Sequence, residues 1–205
     1  MKDGTKRYLE TIGWLGKLYD YFNDQLFNGE FVRPVITVQT DEKNCAYGWF
    51  TLKKVWKESE DDGEYEINMS AQFLSRSANE IAGTLLHEIC HQYAKVNNLK
   101  DCSRGGTYHN KIFKRIAEQH GLEVECVPKI GYSVTRLTAG TQELLSVFLE
   151  LRPMNLIYRE APHKGQRVKT SSTRKYMCPC CGNSVRATKE VNIMCADCNE
   201  YMSVQ

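Results

Sequence analysis

The sequence predicts an α+β protein: a small sheet packed on helices, followed by a compact zinc ribbon. Three observations carry this. The chain starts with a long amphipathic helical pattern. Three short β-branched or alternating segments follow and lead into a second, well-capped helical pattern. Five cysteines (Cys178, Cys180, Cys181, Cys195, Cys198) then crowd into 21 residues near the end.

From Thr5 to Phe27, apolar side chains recur at Tyr8, Ile12, Leu15, Leu18, Tyr19, Phe22 and Leu26, the spacing of one helix face. Asn28-Gly29 marks its stop. Pro34 to Val38 is rich in β-branched residues, Ala46 to Leu52 reads as a second strand, and Glu64 to Met69 alternates as a third. Ser77-Ala78-Asn79-Glu80 has the form of a capping box. Behind it Ile81, Leu85, Leu86, Ile89, Tyr93 and Val96 form an apolar stripe. A further helix is expected from Thr107, as N-cap, through Ile116 to a stop at His120-Gly121. Val124 to Val134 reads as extended chain and Thr141 to Leu151 as a short helix. The domain boundaries expected are 1–150 for the main domain, 151–175 for a basic linker and 176–205 for the ribbon.

With 41% hydrophobic and 25% charged residues in 205, the composition is that of a globular protein, excluding wholesale disorder and collagen-like repetition. No run reaches the roughly 18 apolar residues of a membrane helix. The N-terminal residues lack a continuous apolar signal core, so the expectation is a non-secreted protein, cytoplasmic or associated with the nucleoid (nuclear in a eukaryote). The formal charge of +2 argues for no partner by itself. Its distribution is more informative: six acids and no base lie between Glu58 and Glu66, whereas Arg152 to Tyr176 carries seven bases and one acid. Nine cysteines, an odd number, argue for metal rather than a disulfide framework. Cys90 and Cys126 read as small buried hydrophobes.

His87-Glu88-Ile89-Cys90-His91 places two histidines at i and i+4, one turn apart on one helix face, where both imidazoles can reach one zinc ion. Glu88, beside them, can take a proton from the attacking water and deliver it to the leaving amine. With five histidines and 17 glutamates, chance would produce this pattern about 0.01 times per chain. A catalytic zinc takes three protein ligands. His109, behind Gly105-Gly106, is the best third ligand, expected in the first turn of the next helix. His120 reads as a cation at a helix end and His163 as a solvated side chain. Cys45, which stands 42 positions before His87, is the alternative, as in deformylase-like hydrolases.

Near the C-terminus, Cys178 and Cys181, thirteen intervening residues, then Cys195 and Cys198 give two C-x2-C knuckles, enough for a tetrahedral structural zinc. Cys180 is left spare. A tail this short cannot bury enough apolar surface to fold without such a staple. Tyr176 and Tyr201 are candidates to stack bases, and Arg167, Lys169, Arg174 and Lys175 to meet phosphates.

Leu26-Phe27-Asn28-Gly29, the strand containing Gly48, Leu86 to His91 and His109 to Phe113 together resemble the SprT-like (Spartan-related) zinc metalloproteases. That resemblance covers roughly Thr5 to Leu122 and recurs in the cysteine cluster. It implies a zincin-like metalloprotease domain in which His87, His91 and His109 hold the catalytic zinc and Glu88 is the acid/base. It further implies a second, structural zinc in the ribbon and protein substrates bound or crosslinked to DNA. It also implies contact with single-stranded or damaged DNA. The residues after His109, Asn110-Lys111-Ile112, depart from the family pattern. A reading of a different class is a zinc-stabilised DNA-binding protein without turnover.

Overall fold

Helix α1 (Gly4–Leu26) begins where the Asp3 side chain accepts the Thr5 N–H. It ends before Asn28 and Gly29, both in the left-handed region (φ 55° and 68°). Its buried face carries Trp14, Leu15, Leu18, Tyr19 and Phe22. The computed structural model describes residues 3–40, 46–58, 63–160 and 173–205. The chain divides into two units, Met1–Ala161 and Pro162–Gln205.

The three expected strands are β1 (Val35–Thr37), β2 (Gly48–Phe50) and β3 (Glu66–Met69), in the order β1-β3-β2. β1 runs parallel to β3 and β2 antiparallel to it. β3, the central strand, is buried at all four positions. Asn68 supports the sheet from within, its Oδ1 accepting from Thr37 Oγ1 (2.9 Å) and the Gln39 N–H (2.8 Å). Helix α2 (Ala78–Val96) opens with the expected capping box: Ser77 and Glu80 satisfy each other's backbone N–H groups. Tyr19 on α1 donates to Gln92 Oε1 on α2 at 2.7 Å, a buried bond that fastens the two long helices.

A second sheet was not anticipated from the sequence. It consists of β4 (Cys102–Ser103), β5 (Tyr108–His109), β6 (Leu122–Val127) and β7 (Gly131–Leu137), in the order β4-β5-β7-β6. β6 and β7 form an antiparallel hairpin across the segment read as extended chain. Cys126, expected to be buried, is exposed on β6.

Helix α3 (Lys111–Gln119) starts later than expected. Its N-cap is Asn110, whose Oδ1 accepts from the Ile112 (2.7 Å) and Phe113 (3.3 Å) N–H groups. The Thr107 hydroxyl instead donates to Arg104 O, closing a turn in which Arg104, Gly105 and Gly106 all have positive φ. His109 therefore sits on a strand, not in a helical turn. His120 ends α3, its ring stacked on Phe27 at 4.2 Å and its Nδ1 on Ile116 O, in keeping with a helix-end role. Helix α4 (Ala139–Leu151) is capped by Thr138.

The first residues assigned to the basic linker lie along the first unit. Trp14 Nε1 donates to Arg152 O, the Ile157 N–H to Thr11 Oγ1, and the Arg159 N–H to Ala71 O. Met154 and Leu156 add apolar contact with the core, which is why the chain does not leave it at residue 151.

The second unit holds β8 (Arg174–Met177), β9 (Ser184–Ala187), β10 (Met194–Cys195), β11 (Glu200–Tyr201) and β12 (Ser203–Val204). They make one sheet in the order β12-β8-β9 and one hairpin, β10-β11. The fold is α+β, as the sequence predicts. Ser77→Ala removes the acceptor of the α2 capping box and is expected to cost about 1 kcal/mol. A lowered urea midpoint with an unchanged slope is the expected result.

Candidate metal centre

α2 sets His87 and His91 one turn apart, and β5 brings His109 across to them. The three Nε2 atoms form a triangle with edges of 3.1, 3.1 and 3.2 Å. Each imidazole has a single in-plane site at Nε2, so three converging rings cannot satisfy one another with three hydrogen bonds. A cation can satisfy them all. Nitrogens about 2.0–2.1 Å from a tetrahedral zinc stand about 3.3 Å apart, close to the triangle found. Phe113 floors the cluster: its ring centroid lies 4.6, 4.7 and 4.6 Å from those of His87, His91 and His109.

His109 is placed by pairing on both sides of β5, with Cys102 of β4 and Gly131 of β7. Its N–H donates to Ile130 O at 3.0 Å. Gly131 has φ 69°, and a Cβ there would stand 2.1 Å from His109 O, so only glycine permits this approach. No pattern in the sequence singles out Gly131.

The same holds for two residues at the far side of the imidazoles. Asp101 Oδ2 lies 2.5 Å from His91 Nδ1, and Thr135 Oγ1 lies 3.1 Å from His87 Nδ1. Burial first, then the neighbouring imidazoles, hold His87 well below the ordinary histidine range. Burial and then His91 take His109 down to about 4, so both offer neutral lone pairs. His91 differs: burial acts downward, but Asp101, Cys102 and Glu88 outweigh it and raise the group to about 10.

Glu88 is 6% exposed, and burial raises its carboxyl to about 7, against the pull of His91 and the Phe50 N–H. β2 passes close above it. A Cβ on Gly48 would meet Asn68 O at 2.8 Å, Thr84 Cγ2 at 3.2 Å and Glu88 Cγ at 3.4 Å. A cavity of about 900 Å³ opens here, with α2 as its floor, Tyr47 and Gly48 on one wall and Ser133 to Leu137 of β7 on the other. His87, Glu88 and His109 all line it.

In the second unit, the ligand atoms of Cys178, Cys181, Cys195 and Cys198 all lie within 4.8 Å of one another. Cys181 Sγ and Cys195 Sγ are 3.6 Å apart. A disulfide would bring sulfurs to about 2.05 Å, whereas thiolates on a tetrahedral zinc stand about 3.75 Å apart. The two knuckles share one device: the residue after the second cysteine turns left-handed and its N–H bonds the first cysteine's carbonyl. Gly182 (φ 76°) donates to Cys178 O at 3.1 Å, and Asn199 (φ 54°) to Cys195 O at 2.8 Å. The Cys181 N–H leads the effects that lower the Cys178 thiol to about 7, favouring its thiolate. Cys180 is exposed and outside the cluster.

The residues proposed to contact nucleic acid separate. Arg174 and Lys175 are exposed on β8, and Tyr201 on β11 is 68% exposed. Tyr176 cannot stack a base: it is 3% exposed, and its hydroxyl accepts the Val191 N–H at 3.1 Å. Strand alternation turns it into the ribbon's small core while its basic neighbours face solvent. Arg167, Lys169, His163 and Cys45 lie outside the described residues. The third position beside His87 and His91, for which Cys45 was the alternative, is taken by His109.

The SprT-like family pattern matches residues 15–139, a span holding the three histidines, Glu88, Asp101, Gly131 and Thr135. No curated protein and no solved structure matches the chain. Gly131→Ala is expected to dislodge His109 and weaken metal binding at the histidines about as much as His109→Ala. Chelator competition checks this, and Cys45→Ala should leave the affinity unchanged.

Proposed function

The chain belongs to the SprT-like family, commonly a metallopeptidase family, and we propose that it is a zinc-dependent endopeptidase acting on proteins bound or crosslinked to DNA. The observation that carries this reading is the three-nitrogen triangle with the buried Glu88 carboxylate beside it in one cleft. His87, His91 and His109 would hold a catalytic zinc, and Cys178, Cys181, Cys195 and Cys198 a structural one. When bound, zinc polarises a carbonyl and acidifies a water at neutral pH.

Glu88 then supplies the proton traffic. Its ionised carboxylate accepts the proton of the attacking water, and the carboxylic acid so formed protonates the leaving amine. Burial, which raises its pKa toward neutrality, suits a group that must both take and release a proton. The raised value also gives the sign of the pH dependence: activity falls as pH drops and Glu88 becomes protonated. A bound cation moves that acid limb below pH 7 by favouring the carboxylate. The cleft walls, β2 and β7, leave room for a substrate segment above the helix, beside Glu88 and the histidines.

The DNA part of the proposal rests on the ribbon. Lys175 and Arg186 stand directly opposite each other on β8 and β9. Like charges so placed are unfavourable unless an anion neutralises them, and phosphates do so. Tyr201 adds an exposed ring for stacking. Among the described residues, no helix is long and apolar enough to cross a membrane.

Glu88→Gln should keep the metal and the fold yet lose about 10²–10⁴-fold of proteolysis, since the amide cannot shuttle a proton. Undiminished cleavage of a DNA-bound protein by this variant, assayed by gel, contradicts the assignment of Glu88 as the acid/base. For the ribbon, a gel-shift series over salt should show single-stranded DNA affinity falling steeply. Changing Arg174, Lys175 and Arg186 to Gln should flatten that slope by about 0.7 for each phosphate no longer neutralised. Tyr201→Ala should weaken binding by about 1–3 kcal/mol with the slope retained.

A further inference from the structure

Among the described residues, His91 alone of the three imidazoles has a carboxylate behind it. His87 Nδ1 faces the Thr135 hydroxyl, which can donate or accept, so that contact leaves the tautomer open. His109 Nδ1 is buried with no hydrogen-bond partner among the described residues. An ionised carboxylate can only accept, so Asp101 requires a proton on His91 Nδ1; when the ring gives up its other proton to a metal, the lone pair freed is the one on Nε2, aimed at the centre of the triangle.

Asp101 is itself held firmly. It is 7% exposed, and the Asn110 N–H donates to its carbonyl at 2.9 Å. Asn110 Nδ2 also grips Lys100 O at 2.7 Å. The next residue, Cys102, pairs with His109. One short ladder thus carries both the residue behind His91 and the third histidine.

We propose that Asp101 is a positioning residue for the metal: by fixing the tautomer and ring orientation of His91, it sets how tightly the three histidines hold zinc. It acts through His91 and touches neither substrate nor metal. This rests on the three histidines being a zinc site, and the experiment separates the two claims. Zinc affinity of the full chain is measured by chelator competition, with the four-cysteine cluster as an internal control. Asp101→Ala should weaken the histidine site about 100-fold and the near-isosteric Asp101→Asn about 10-fold, as loss of an orienting partner does. The cysteine site should not change.

The second readout is the histidine side-chain nitrogen NMR spectrum of the metal-free protein. The parent should show His91 protonated at Nδ1. In both variants the His91 nitrogen signals should shift, whereas those of His87 hold. Asp101→Asn keeps the size and shape of the buried side chain, so it remains informative if Asp101→Ala does not fold. Unchanged zinc affinity and unchanged His91 signals, with only a lower melting temperature, would show a loop anchor and overturn the proposal. A parent that binds no zinc at the histidines contradicts the zinc-site reading alone; the His91 tautomer then still decides whether Asp101 positions that ring.

Discussion

The site depends on one close approach: a two-residue strand, β5, must lie against the side of α2 so that His109 meets His87 and His91 within 3.2 Å. Neither piece can do this alone. A helix supplies two imidazoles one turn apart, and its own periodicity offers no third at the right angle. The third comes from a ladder whose neighbours, Cys102 and Gly131, fix it from both sides. Glycine at 131 removes the only atom that would keep β7 away from His109. Glycine at 48 does the same for β2 against the Asn68 carbonyl of β3 and Thr84 of α2. Two sheets are thus drawn onto one helix, and the cleft is the space left between them.

This packing also decides the electrostatics. Three half-buried basic rings and a buried acid are crowded together, which is unfavourable unless charge is removed or paired. His87 and His109 respond by staying neutral. Glu88 responds by holding its proton more tightly, and His91 by pairing with Asp101. The result is two neutral imidazoles and a third paired with a carboxylate around one point, beside a carboxyl that exchanges protons near neutrality. Phe113, packed against all three rings, closes off the side away from the cleft.

Much of this was legible in the residues themselves. The long helices announced themselves through their period, and the second also through its cap, because Ser77 and Glu80 satisfy backbone groups locally. His87, Glu88 and His91 were legible because helix geometry converts their spacing into proximity, and the cysteine knuckles because two short turns need no distant partner. What depended on distant pairing was not. β4 and β5 are two residues each, too short for any alternation to show, and β6 buries only Leu122. Thr107 imitates an N-cap, but its hydroxyl is spent closing a turn, and Asn110 caps the helix instead. Tyr176 sits among exposed bases in sequence, while the pleat of β8 sends it inward. Asp101 and Thr135 reach the histidines only once the second sheet exists.

Two independent zinc sites on one chain, the histidine triangle and the cysteine cluster, are the central claim. Zinc counted by elemental analysis and native mass spectrometry tests it most directly, in the parent and in a His87→Ala/His91→Ala variant. Two zinc ions in the parent and one in the variant is the expected result. One ion in the parent, or two retained in the variant, would contradict it.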